Sequence, residues 1–358
     1  MQKDFLIVGQ GLCGTWISWW LMQEGKSVMV IDEGKPVSSS RIASGVINPV
    51  TGRVLAKTWM AETLLPFALE AYSSIGRALG IHCIQTVDIL HAFPTEQMQQ
   101  AFQNRSQEVT EYLSIPGDTQ RWEQLMTAPF GFGVINPALL IDLNLLLNQW
   151  QHHLVRQHSI RLEPFNEDEL EIYPDHVQYR DIEAGTIIYC GGVETMGSAY
   201  FNRLPFSPNK GEALLLEVRG LPQTHIYKKG LSLVPFPHFG YQSNAGFFWA
   251  GSTYENRFTH DEPTAGFRER TTRQLSEWLK LPFTVVDHWS AIRPATVERR
   301  PFVGVHPLHP RVAILNGTGT KGCSLAPYFA RELAQYLIHG QPITKEADIQ
   351  RFSRILSA

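Results

Sequence analysis

The apolar positions change period several times along the chain. Phe5-Leu6-Ile7-Val8 is an unbroken apolar run, as expected of a parallel strand buried on both faces. Gly9-Gln10-Gly11-Leu12-Cys13-Gly14 follows at once, and residues 15–24 then place Trp16, Trp19, Trp20 and Leu21 at helical spacing. Gly25 closes that helix, and a second apolar run, Val28-Met29-Val30-Ile31, ends at Asp32-Glu33. The pattern predicts one compact βαβ unit. Residues 37–53 read as a loop of small residues, 61–79 as a helix stopped by Gly80, and alternating runs near 83–93 as strands. The stretch 95–127 is polar and mixed, and 139–158 reads as one long Leu-rich helix. Short strands are predicted at 160–163 and 177–179, and a buried strand at 186–190 that runs into Gly191-Gly192. Strands at 214–218, 231–234 and 247–250 then follow one another without helices, which predicts an antiparallel sheet. A helix near 264–280, a buried strand at 312–315 and a helix at 324–339, with Pro327 in its first turn, complete the reading.

Composition narrows the class. With 358 residues, 43% hydrophobic and 18% charged, the chain can build a large core and two domains. A net charge of −3 gives no basic excess, which weighs against nucleic acid as a partner. Cys13, Cys83, Cys190 and Cys323 lie far apart and form no CxxC pair, so neither a zinc site nor a disulfide framework is expected. The 13 histidines show no HxH or HExxH spacing, and no metal is expected. No run approaches the roughly 18 apolar residues of a membrane span, and the N-terminal run is too short for a signal segment. A cytoplasmic protein is expected.

The chemistry begins at the glycines. Gly9 permits a tight turn, Gly11 lets a pyrophosphate approach the backbone, and Gly14 lets helix and strand pack closely. Anions are favoured there by the free N–H groups and the dipole of the helix. Asp32 stands 23 residues after Gly9, where a carboxylate can hold ribose hydroxyls. It would repel the extra phosphate of NADP.

Further motifs occur in a fixed order. They are Ser40-Arg41-Ile42-Ala43-Ser44-Gly45, Ile187-Ile188-Tyr189-Cys190-Gly191-Gly192, Pro208-Asn209-Lys210-Gly211-Glu212 and Gly251-Ser252-Thr253-Tyr254-Glu255. Trp289-Ser290-Ala291-Ile292-Arg293-Pro294 with Pro301-Phe302-Val303-Gly304, and Gly317-Thr318-Gly319-Thr320-Lys321-Gly322, complete the set. In these motifs the chain resembles the D-amino-acid oxidase family of FAD-dependent oxidoreductases, which includes glycine and sarcosine oxidases. The resemblance implies an α/β fold, with a Rossmann-like FAD-binding domain and a substrate domain on a mainly antiparallel sheet with helices. The FAD domain would take residues 1–75, 140–203 and 288–358, and the substrate domain 76–139 and 204–287. The implied cofactor contacts are Gly9, Gly11, Leu12, Cys13, Gly14, Asp32, Glu33, Ser40, Arg41, Ala43, Ser44, Gly45, Cys190, Gly191, Gly192, Gly319, Thr320, Lys321, Gly322 and Cys323.

The implied activity is oxidation of a C–N bond of an amino acid or secondary amine, by hydride transfer to the flavin, with O2 or another acceptor taking the electrons. Thr320, Lys321, Gly322 and Cys323 precede the last helix and would offer N–H groups to the charge that develops on the ring. Arg293 would hold a substrate carboxylate; its structural alternative is a salt bridge, with Glu298 as the partner. Two departures stand out. Ser232 occupies the place of a tyrosine that assists the same carboxylate in many of these oxidases, and Tyr241 or Tyr254 is the available substitute. The cysteine that tethers flavin in sarcosine oxidases is absent near Arg293, so FAD should be noncovalent. Arg53 and Lys57 fall outside the family pattern and read as solvated loop cations, with a place in the pocket lining after the flavin loop as the alternative. Two alternatives accompany the enzyme reading: an FAD oxidase modifying tRNA wobble uridine, and a flavin-binding protein without turnover.

Overall fold

The computed structural model describes residues 1–52, 54–236 and 246–357. Arg53 and Tyr241 lie outside them. Strand β1 (Gln2–Val8), helix α1 (Leu12–Gln23) and strand β2 (Val28–Asp32) form the βαβ unit, with β1 and β2 parallel. Strand Ile182–Tyr189 pairs with the other edge of β1, Ile160–Leu162 extends the sheet beyond β2, and Val312–Asn316 pairs with 182–189, all in parallel. Among the described residues this sheet has eight strands, the others being antiparallel additions at 170–172, 177–179 and 302–305. Apolar runs such as Phe5–Val8 are buried because helices cover one face and residues 349–356 pack into a second cluster on the other.

A second sheet of nine described strands runs in the order 283–293, 209–218, 247–251, 231–235, 225–229, 84–92, 132–141 and 46–47, with 113–114 beside 132–141. Its pairs are antiparallel except 225–229 with 84–92. Side chains alternate between two faces. Ala213, Leu215, Trp249 and Trp289 join the large core shared with the first sheet, while Leu214, Leu216, Phe248 and Ala250 join a separate core under helix Ala265–Trp278.

Several sequence expectations shift. The span 139–158 is not one helix: strand Phe132–Ile141 runs into it, and Asp142 caps helix Leu143–Arg156 by accepting a bond from Leu145 N at 2.9 Å. An apolar Leu run satisfies strand and helix periods alike, and the cap decides where one ends. The polar stretch 95–127 contains the helix Glu96–Glu108. Strand Phe283–Arg293 passes unbroken through residue 288, where a domain boundary was expected, and Val46–Ile47 pairs with the second sheet. The last helix begins at Gly322, so Pro327 sits beyond its first turn. Proline cannot donate to the Cys323 carbonyl, four residues back. The buried Tyr72 hydroxyl donates to that oxygen instead, at 3.0 Å. Among the described residues no helix is long and apolar enough to cross a membrane.

Candidate active site

A cleft of about 770 Å³ lies between the two sheets. One wall is backbone. Gly9 has φ +95°, and a methyl at Gly14 would fall inside the van der Waals shell of the Gly9 carbonyl oxygen. Helix α1 opens at Gly11 with no side-chain cap and no acidic residue in its first turn, so its N-terminal donors face the cleft. Ser40 Oγ accepts one of them, Leu12 N, at 3.1 Å. Asp32 accepts from Gln10 N at 2.6 Å and from Gly34 N at 2.7 Å, each on a different oxygen. Carboxylate oxygens accept more than one bond, so both retain capacity for hydroxyls. Helix Gly322–His339 also opens without a side-chain cap or first-turn acid, and Gly322 and Cys323 line the same cleft.

The opposite wall is side chains. Arg293, half-buried, donates through Nη1 to Asn209 Oδ1 at 2.8 Å and Thr253 O at 3.1 Å, and through Nη2 to Ser252 Oγ at 2.8 Å. Its guanidinium occupies the space that a Cβ at Gly211 would need. Burial lowers its pKa from the usual arginine value. No carboxylate pairs with it among the described residues, and Glu298 bonds Arg351 Nε at 3.0 Å instead. Trp249 lines this wall and donates through Nε1 to Ile42 O at 2.9 Å, tying it to the loop opposite.

Most of the expected residues are brought together. Gly9, Gly11, Leu12, Cys13, Asp32, Glu33, Ser40, Arg41, Ala43, Ser44, Cys190, Gly191, Gly192, Gly319, Thr320, Gly322, Cys323 and Arg293 line the cleft. Gly14 and Gly45 stand behind it, packed against the Gly9 and Ile141 carbonyls. Two expectations need correction. Lys321 does not line the cleft: its backbone N–H is engaged by Thr318 O at 3.0 Å, because the chain makes a 3-10 turn over Gly319–Lys321 before the helix. Tyr254 lies beyond the end of strand Phe247–Gly251, half exposed and off the cleft wall. Lys57 pairs with Glu62 and Glu111, away from the cleft. Sequence reasoning missed Trp249, Ser252 and Asn209 as site residues. The strand alternation that puts Trp249 on the face of Ala213 was the available signal.

The sequence model described as FAD dependent oxidoreductase matches residues 4–336. The chain belongs to this family. This FAD-dependent oxidoreductase is similar to a glycine oxidase of Pseudomonas putida, 22% identical over 97% of this chain and 98% of that one. Its fold is similar to the crystal structure of iminodiacetate oxidase from Chelativorans sp. (TM-score 0.76, 19% identity, 98% of both chains). It is also similar to that of glycine oxidase from Geobacillus kaustophilus (TM-score 0.77, 17% identity, 98% of both chains). FAD fits what the cleft presents: a glycine turn with no room for side chains, two helix N-termini whose own N-cap residues supply no side-chain cap, and a carboxylate at the end of β2.

Proposed function

We propose that this oxidoreductase oxidises the C–N bond of a small amino acid or secondary amine bearing a carboxylate, with noncovalent FAD. The observation that carries the reading is the bonding of Arg293. Three of its five N–H donors are held by neutral acceptors, which leaves Nε and one Nη2 hydrogen for an anion. A half-buried guanidinium without an acidic partner among the described residues suits a carboxylate supplied by a substrate. The relatives named glycine oxidase and iminodiacetate oxidase support this, since those compounds carry a carboxylate next to the C–N bond.

The glycine turn 9–13, Asp32, the loop 40–44, the turn 190–192 and residues 319, 320, 322 and 323 would hold FAD. When bound, its flavin accepts a hydride from the carbon beside nitrogen. The chain's part is to orient that carbon through Arg293 and to exclude water with Trp249. The cleft thiols support noncovalent binding. Burial pushes Cys13 and Cys323 up to about 12, so both stay protonated and weakly nucleophilic at neutral pH. Four buried free thiols also fit the reducing cytoplasm.

Anaerobic mixing of purified holoprotein with a panel of amines, read as flavin bleaching, tests the activity. Arg293→Lys should retain FAD and lose on the order of tenfold or more in carboxylate affinity, because an ammonium cannot copy the fork. A variant that melts early but binds carboxylates normally would make Arg293 structural. Acid precipitation should leave the yellow colour in the supernatant; colour retained in the pellet would refute noncovalent FAD.

A further inference from the structure

The face of the second sheet that carries Arg293 carries a second cation that the proposed reaction does not use. Cross-strand registers join Trp289, Ala213, Gly251, Ser232, Lys228 and His91 into one row across six strands. Alternation puts this row on the same face as the cleft: Ala213 lines it directly, Gly251, Ser232 and Lys228 continue the row beyond the lining, and Trp289 and Ala213 belong to the core shared with the first sheet. The middle of the row is built from the small residues Ala213, Gly251 and Ser232, and the Trp249 ring leans against Gly251.

Lys228 is half-buried, yet among the described residues it has no ion pair and no hydrogen bond. Burial alone pushes its ammonium below the usual lysine range, with no acidic neighbour to raise it. On its far side stands buried His91, which is neutral, with its pKa held down to about 3 by burial and the Lys228 charge, and an imidazole offers an ammonium no negative charge in either state. An unpaired charge out of water is costly unless something pairs with it. Neighbouring strands lie about 4.8 Å apart, so the Lys228 backbone stands about 10 Å from Gly251, two strands away. The next residue after Gly251 is Ser252, which holds Arg293 Nη2 at 2.8 Å. The four-carbon Lys228 stem covers part of that span. The separation left between the two cations suits a molecule with acidic groups at both ends.

We propose that Lys228 is a specificity-determining residue that receives a second carboxylate, so that the preferred substrates are amino or imino dicarboxylic acids held between Arg293 and Lys228. This rests on the reading of Arg293 as the first carboxylate anchor.

The test titrates oxidised holoenzyme with acetate, malonate, succinate and glutarate, read by flavin absorbance and by calorimetry. At least one dicarboxylate should bind on the order of tenfold tighter than acetate, as a charge-assisted hydrogen bond allows. Lys228→Met should lower the dicarboxylate-to-acetate ratio by about that factor, and Lys228→Arg should keep most of it. Lys228→Gln gives the same comparison if the Met variant does not fold. Because an unpaired charge is removed, the melting temperature of Lys228→Met should not fall. The proposal is overturned if wild-type protein prefers no dicarboxylate, or if the ratio survives loss of the Lys228 charge. If acetate binding depends on Arg293 while Lys228 is without effect, only the second subsite is lost. If acetate binding does not depend on Arg293, both readings fail together.

Discussion

The two walls of the cleft are made by different means. The wall at β1, α1 and β2 is backbone: a turn without side chains, the ends of two helices, and one carboxylate fixed by main-chain N–H groups. The wall on the second sheet is side chains, with Arg293 seated by Asn209, by Ser252 and by the Thr253 carbonyl, from two separate stretches of chain. A backbone site fails by steric collision and offers the same surface to any ligand with the same phosphates. A side-chain site fails by losing a bond, and its selectivity changes with a single residue. On the proposed reading the common cofactor belongs to the first wall, and the choice of substrate to the second.

This contrast can be broken in order of expected effect. Gly14→Ala should be the most damaging, since the new methyl meets the Gly9 carbonyl, which cannot move without shifting the turn. We expect about 3 kcal/mol or more of destabilisation and loss of flavin, read as the flavin-to-protein absorbance ratio and the urea midpoint. A yellow, stable Gly14→Ala would show that the turn yields as a side chain does.

Acid comes next. His91 is buried against Phe93 and Phe102, with its pKa lowered from 6.5 to about 3. It is neutral in the fold, so its contribution is fully present above pH 6.5 and is lost as pH falls toward 3. The loss is on the order of a few kcal/mol. His91→Gln should flatten the decline in melting temperature across that window; an unchanged slope would assign the acid sensitivity elsewhere.

Asn209→Ala leaves Arg293 Nη1 with one acceptor instead of two. It should weaken carboxylate binding by about tenfold with FAD content unchanged, measured by acetate titration. A loss of FAD would mean that the walls are not separable. Thr95→Ala is expected to be the mildest. It removes the cap that accepts from Met98 N on helix Glu96–Glu108, costing about 1 kcal/mol by denaturant titration. Thr95 is no part of the cleft lining, and carboxylate affinity should hardly move.

The same contrast explains what the sequence made legible. Gly9, Gly11, Gly14 and Asp32 are demanded by local backbone geometry, and local demands leave a local signature. The Ser/Ala loop at 40–44 and the glycine turn at 190–192 are of the same kind. Trp249, Ser252 and Asn209 carry no such mark: they meet Arg293 and Ile42 only because strands 209–218, 247–251 and 283–293 pair in one particular register. Lys321 was misplaced for a related reason, because a 3-10 turn of three residues redirects it and short apolar-free turns have no periodicity to read. The run 139–158 was misread as one helix because Leu139, Leu140 and Ile141 suit a strand equally well.

The pairing of β1 with 182–189, and of that strand with 312–316, also sets a timetable. During synthesis β1, the glycine turn and β2 leave the ribosome close together, but the neighbour on the other edge of β1, strand 182–189, follows about 170 residues after the turn. The strand beside that neighbour, and the turn 319–321 leading into the last helix, come more than 100 residues later still. Such distant partners close slowly, and their apolar edges stay open meanwhile. A nascent chain halted before residue 312 would carry the phosphate turn without the cradle that completes it. Acquisition of flavin colour is therefore a mark of synthesis beyond the turn 319–321, and shorter products should remain colourless.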